Sequence, residues 1–210
     1  MYLSDHFAEP RVEELQRIMR DFPLGTIVTH TSRGLDANHI PLELDAGRGA
    51  CGTLQGHIAR ANPLWTEVPN ASEVLVIFQG HNGYISPSWY PSKQETHRHV
   101  PTWNYEVVHA RGRLRIIDDE SFVRGVVARL TRRHEAAEPR PWKMGDAPAD
   151  YLEQMLKVIV GIEVEISHLE GKRKLGQNRD ARDLEGAVRA LRERGQNELA
   201  SAMAGANLRS

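Results

Sequence analysis

Three short segments follow one another near the start of the chain, each closed by a tight-turn signal. Residues 23–30 read PLGTIVTH, the turn SRG follows, and residues 35–45 read LDANHIPLELD. The turn DAGRG (45–49) then leads into ACGTLQGHI (50–58). Strands this short, with no room for a helix between them, pair as an antiparallel meander, and a meander must close into a sandwich or a barrel to bury its apolar face. Further on, EVLVIFQG (73–80) is almost wholly apolar and predicts a central strand buried on both sides. In YEVVHARGRLRIID (105–118), Val108, Ala110, Gly112, Leu114 and Ile116 alternate with His109, Arg111, Arg113 and Arg115, giving one buried and one wet face. VGIEVEISHLEGK (160–172) alternates in the same way, with Val160, Ile162, Val164 and Ile166 inward and Glu163 and Glu165 outward.

Helical signals surround this β core. Val12, Leu15, Ile18 and Met19 share one helical face over residues 10–21, and Pro23 ends it. Asp118 or Asp119 caps a helix over 119–136 whose inner face carries Phe122, Val126, Val127 and Leu130. Further helices are expected over 150–158 and 180–194, followed by a frayed tail. The expected architecture is therefore mainly β with peripheral α (α+β): a single domain over 1–210, with its barrel core at about 23–118 plus a strand at 160–175.

The 210 residues can bury a sizeable core without staples. Neither a leader nor an apolar stretch of membrane-spanning length is visible, and a single Cys51 fits a reducing cytoplasm. Cys51 itself is expected to be a small buried hydrophobe. The net charge of −1 counts against direct DNA binding, as does the absence of a helix-turn-helix pattern or basic stripe. The arginines of 179–194 are offset by Asp180, Asp183, Glu185 and Glu193.

Five of the nine Trp and Tyr residues fall within Tyr84–Tyr105, a stretch broken by Pro87, Pro91 and Pro101. Three extended pieces joined by corners are expected there. They offer either an aromatic rim for a flat ligand or a satellite cluster under a long loop. In GTLQGHIARANP (52–63), Thr53, Gln55 and His57 share one strand face, and the chain then turns into a short helix carrying Arg60. A strand running into a helix N-terminus with an Arg beside it suits a phosphate, whereas the plainer alternative makes Arg60 a surface ion-pair partner and His57 a satisfied structural histidine. His97 and His99 could share a strand face, but no Cys pair, HExxH or carboxylate at ligand spacing supports a metal site, so none is expected. GxSxG, P-loop and GxGxxG signatures are absent.

The ordered blocks PLGTIVTH, ANHIPLELD, GTLQGHIARANPLW, VLVIFQGHNGYISPSWYPSK, VPTWNYEVVHARGRLRIID and KLGQN (174–178) resemble the PaiB-like family, from Tyr2 to about Leu191. That family is described as FMN-binding negative transcriptional regulators with the split-barrel flavoprotein fold. The resemblance implies a Greek-key-like antiparallel split β-barrel, FMN as cofactor, and a homodimer with the flavin sites between subunits. It places His39, Ile40 and Pro41 along the isoalloxazine. Thr53, His57, Arg60 and Asn62 fall in the segment that pyridoxamine-oxidase-like split barrels use, His57 standing where a hydroxyl residue is more usual. Trp103 and Asn104 are implied at the ring edge, and Lys174, Gln177 and Asn178 in a loop reaching the cofactor, with Gly176 where the family commonly has Ser. Three functions are then open: regulation by indirect or ligand-sensing means, FMN-dependent oxidoreduction of an unidentified small molecule with NAD(P)H or oxygen, and binding of haem or another flat aromatic ligand. No residue announces itself as a catalytic acid or base; His39, His57 and Tyr105 are candidates by inferred proximity.

Overall fold

The structure is a computed structural model that describes residues 1–207. Its strands are β1 (Ala8–Glu9), β2 (Leu24–Thr31), β3 (Gly34–Pro41), β4 (Glu43–Asp45), β5 (Thr53–Ala59), β6 (Glu73–Ile85), β7 (Thr102–Ile117) and β8 (Ile159–Lys174). The helices are α1 (Val12–Asp21), α2 (Leu64–Glu67), α3 (Lys93–Thr96), α4 (Glu120–Glu135), α5 (Ala149–Lys157), α6 (Ala181–Glu193) and α7 (Asn197–Asn207). The strands pair in the order β3-β2-β6-β7-β8-β5-β4, with β1 added to β8. This antiparallel eight-stranded sheet with added helices is the α+β class expected. No helix among the described residues is long and apolar enough to cross a membrane.

The chain divides into two compact units. One comprises residues 19–78 and 109–169. Here the β2–β3 hairpin runs in register from Leu24 opposite Pro41 to Thr31 opposite Gly34, and β5 pairs with β8 from Thr53–Glu165 to Ala59–Ile159. Ile27, Leu54, Val76, Phe78, Leu114, Ile162 and Ile166 are buried within it. Glycines set how closely its elements approach. A Cβ at Gly112 would stand 2.3 Å from the Glu165 carbonyl, and one at Gly161 would stand 2.5 Å from the Phe122 ring. The Asp119 side chain caps α4 by accepting from the Phe122 N–H at 2.7 Å. Val123, Val126 and Leu130 are the buried positions of α4, so the inner face is turned slightly from the expected one.

The second unit comprises residues 1–18, 79–108 and 170–207. Ile85, Tyr90, Leu175, Ala187, Leu191, Leu199, Ala200 and Met203 form its core. A Cβ at Gly186 would lie 2.3 Å from the Trp89 carbonyl, so α6 rests directly on the backbone of the aromatic segment.

Several expectations are corrected here. Residues 86–101 are not extended: a 3-10 turn (Pro87–Trp89) and α3 lie between β6 and β7, because Ser86 caps the turn through the Ser88 N–H and Pro87 fits its first position. The tail is not frayed over the described residues, since α7 inserts Leu199, Ala200 and Met203 into a core. On β6, Val74, Val76 and Phe78 are buried while Leu75 and Ile77 are half-buried, so only one face is fully covered. Glu163 is buried, not wet, because Arg48, Arg115 and Gln55 close over it. Cys51 is half-buried in the bend before β5 instead of opening that strand.

Candidate functional site

In the unit of residues 19–78 and 109–169, the structure brings the end of β3 onto β5. A Cβ at Gly56 would lie 2.8 Å from the Leu42 side chain and 3.0 Å from the Pro41 carbonyl, with Ile40 at 3.4 Å. Only glycine allows that approach, which is made on the Gly56 face of β5, opposite the face that His57 shares with Thr53 and Gln55. β3 ends the sheet, so the backbone groups on its outer edge have no neighbouring strand in the sheet order. His39 lies on this strand opposite Thr26 and is exposed.

His57 is distinctive. Its Nδ1 is buried and accepts or donates no hydrogen bond. Desolvation by the surrounding strands lowers its pKa below the ordinary histidine value, which keeps the imidazole neutral at physiological pH. A buried, neutral imidazole nitrogen with no partner in the chain can be satisfied by a ligand atom. Its strand neighbours are already committed. The Thr53 hydroxyl donates to the Arg48 carbonyl at 2.9 Å. The Gln55 amide donates to Glu163 at 3.0 Å and accepts from Arg129 at 2.6 Å.

Arg60 is committed as well. Its guanidinium donates to both oxygens of Asp118, at 2.6 and 2.9 Å, and its Nε donates to the Lys157 carbonyl at 2.8 Å. It also lies over the Trp65 ring, and the Trp65 indole donates to the Arg60 carbonyl. The surrounding cleft of about 230 Å³ carries Asp118, Asp119 and Glu120. Three acidic side chains do not suit a phosphate, so the surface ion pair describes Arg60 better. α2 is a single turn, and Asn62 closes its start by accepting from the Leu64 N–H at 2.9 Å while donating to Asn38 at 2.7 Å. The groups here that could meet a flavin's polar rim are the outer backbone edge of His39–Pro41 and, on the other face of β5 from the Ile40 contact, the buried His57 nitrogen.

The remaining expected residues lie in the other unit. Trp103 is exposed, packs edge-on to Tyr84 at 6.4 Å and donates its indole N–H to Asn82 at 3.3 Å. Tyr84 meets Trp89 in the same edge-on fashion, and the Arg194 guanidinium caps the Trp89 ring at 4.9 Å. Lys174 joins this group by donating to the Trp103 carbonyl at 2.9 Å and to the Thr102 hydroxyl. Burial, then the nearby Lys172 and Arg179, lower its pKa. Asn104 is buried, with its amide 3.5 Å from the Met203 sulfur. Gln177 folds onto its own loop, accepting from the Leu175 N–H and donating to the Arg173 carbonyl, while Asn178 is exposed. The Tyr105 ring lies under the Lys172 ammonium at 5.6 Å.

Sequence reasoning missed a buried polar chain in this unit. Arg179 lies 3.2 Å from His99 Nδ1, and His99 Nε2 lies 2.7 Å from the Ser92 hydroxyl. Arginine can only donate, so Nδ1 accepts and Nε2–H donates to Ser92, whose hydroxyl proton then goes to Asp183. No spacing rule links residues 92, 99 and 183; only the contact of α6 with the aromatic segment does. Among the described residues no cluster of His, Cys, Asp and Glu could hold a metal ion.

The model of the family described as "Putative FMN-binding domain" matches residues 1–168. An uncharacterized protein of Emericella nidulans, AN0679, is 34% identical over 90% of this chain and 89% of its own length. The "protease synthase and sporulation protein PAI 2" of Bacillus subtilis is 30% identical over 91% of this chain and 89% of its own. The solved structure of the "FAD and heme binding protein" of Mycobacterium smegmatis shares the fold, with a TM-score of 0.57 at 16% identity, covering 87% of this chain and 79% of that one. The chain belongs to the PaiB-like family of FMN-binding split-barrel proteins.

Proposed function

We propose that this chain is an FMN-binding regulatory protein that responds to its bound flavin and acts through a partner or a metabolite, not by gripping DNA. The observation that carries the reading is the unpartnered Nδ1 of His57, buried on β5. Bound FMN would supply reversible electron and hydride acceptance. His57 would hold a ring heteroatom, and the β3 edge would orient the ring through its backbone. The name of the Bacillus subtilis relative, which refers to protease synthesis and sporulation, supports a regulatory role. The net charge of −1 supports indirect action. Trp103 (51%) and Tyr84 (45%), exposed and in edge-on contact with each other, support a homodimer, and the single free Cys51 supports a cytoplasmic setting.

A second reading, FMN-dependent oxidoreduction, is favoured by the same His57: a neutral imidazole at physiological pH can take or give a proton at Nδ1. One experiment separates the two. FMN-loaded protein is titrated anaerobically with NADH and NADPH, with and without external acceptors, and separately with duplex DNA over a range of salt. The regulatory reading expects slow or single-turnover reduction and only weak DNA association that collapses with salt. Rapid steady-state turnover would install the oxidoreductase reading, and tight, sequence-dependent duplex binding would refute indirect action.

A further inference from the structure

The unit of residues 1–18, 79–108 and 170–207 contains a cavity of about 450 Å³, lined by none of the residues of β3 or β5. Its walls come from α1, β6, β8 and α7. The side chains on it are polar or small apart from the His81 imidazole, with no Phe, Tyr or Trp and no large aliphatic group, so it lacks the apolar walls that a flavin or a haem needs. On α7, Glu198, Ser201, Ala202 and Gly205 repeat at helical spacing along the cavity wall, while Leu199, Ala200 and Met203 face the core. A Cβ at Gly205 meets nothing within 4 Å, so the space in front of it is open.

Besides His81, two cations and two anions stand on this wall: Arg17 and Arg173, Glu14 and Glu198. Arg173 is more than nine-tenths buried and fixed from behind, its Nε donating to Glu106 at 2.7 Å and its Nη1 lying 3.0 Å from Glu14. Arg17 pairs with Glu14 at 2.9 Å and is half-exposed. Glu198 is exposed in the first turn of α7 and makes no ion pair with a described residue. A pure anion would gain from the arginines and be repelled by the glutamates, and a pure cation would meet the reverse. A ligand carrying both charges a few bonds apart satisfies each wall.

We propose that this cavity binds a small zwitterion of the α-amino-acid type. Arg17, backed by the rigid Arg173, takes the carboxylate, Glu198 takes the ammonium, and the Ser201–Gly205 face of α7 accommodates the side chain. The site goes beyond the flavin reading and would give the protein a metabolite input of its own.

The test uses calorimetric titration of the full chain with each of the common L-amino acids. At least one is expected to bind saturably at up to millimolar concentration. Its N-acetyl and amide derivatives, each lacking one charge, should bind about tenfold or more weakly, the usual scale for losing a charge-assisted contact. Glu198→Gln should weaken the amino acid and leave the N-acetyl form unaffected. Gly205→Leu, which fills the open space, should abolish binding while thermal unfolding stays cooperative. No binding by any amino acid to the folded protein would overturn the proposal, as would binding that survives Gly205→Leu or is indifferent to N-acetylation. Flavin loading, read separately by absorbance, keeps a failure here distinct from a failure of the flavin site.

Discussion

The Asp183 carboxylate accepts two hydrogen bonds from Ser92, one from its backbone N–H at 3.0 Å and one from its hydroxyl at 2.5 Å. Asp183 is in the first turn of α6 and Ser92 sits in the middle of the aromatic segment, so one buried side chain fixes ninety residues of intervening sequence to a helix start. The ion pair of Arg182 with Glu95 repeats the link at the surface, where solvent screens it.

Asp183→Ala should therefore cost about 2–3 kcal/mol, the scale for hydrogen bonds to a buried charge, with Ser92 and His99 left short of a partner. Urea unfolding at neutral pH measures it. Asp183→Asn should lie between, because an amide oxygen can still accept one of the two bonds. A loss below half a kcal/mol for Asp183→Ala would show that the segment is held by packing alone.

Acid should remove the same support. Burial pushes the Asp183 carboxyl up, but the two Ser92 hydrogen bonds, with the charge of Arg182 beside them, outweigh it and hold the group below the ordinary value. In Glu9 burial is likewise outweighed by Arg11, and in Glu14 the Arg17 hydrogen bond dominates. With folded values lowered, the unfolded chain takes up these protons first. The stability they contribute is complete above the ordinary carboxylate range near pH 4 and is lost as pH falls through the lowered values. Urea midpoints measured from neutral pH downward should fall steeply only below that range, and less steeply in Asp183→Asn.

His57 predicts a second, separate window. Its folded pKa lies below 6.5, so the unfolded chain binds the proton more readily. The stability that neutral His57 contributes is present above that value and declines as pH falls through it. Comparing wild type with His57→Gln at several pH values between 8 and 5 isolates the effect from the other nine histidines. The wild type should lose more stability over that interval; parallel curves would mean that His57 titrates as a solvated group.

Glu163 is 1% exposed and is held by Arg48, Arg115 and Gln55, whereas the two arginines are half in water. Glu163→Met lets the arginines rehydrate but strands the buried Gln55 amide, at a cost of about 1–3 kcal/mol. Adding Gln55→Leu should recover part of that loss. The recovery, read as non-additivity in a double-mutant cycle, is the prediction; strict additivity would contradict the shared network.

Arg60→Ala should leave FMN affinity within about threefold of wild type, since Asp118 and two carbonyls already occupy the guanidinium. A loss of about tenfold or more in fluorescence titration would return Arg60 to the phosphate.

The meander, the long strands and four of the helices were legible in the sequence because their apolar periods are strong. The alternation of Val160, Ile162, Val164 and Ile166 emerges as the buried face of β8, and the 12–21 stripe buries Leu15, Ile18 and Met19. α7 was not legible, because NELASAMAGAN carries small residues whose burial depends on what α6 offers them. Glu163 escaped for a related reason: the period of two assigns it a face, but whether that face is wet depends on Arg48, over a hundred residues away. At the site, the family resemblance marked Ile40, Pro41 and His57, and Gly56 supplies the close approach of Ile40 and Pro41 to β5, on the face opposite His57. Asp118, which takes Arg60, carried no signal, since an acidic residue at a helix start reads first as a cap.

The central claim is that this chain holds FMN, and retention of the flavin tests it most directly. Purified protein is loaded with FMN, desalted and scanned by absorbance and fluorescence, alongside His57→Phe, which removes the buried nitrogen while keeping an aromatic ring. The account predicts a flavin spectrum that stays with the wild-type protein through desalting and is markedly diminished in the variant. A folded wild-type protein that emerges without flavin would contradict it.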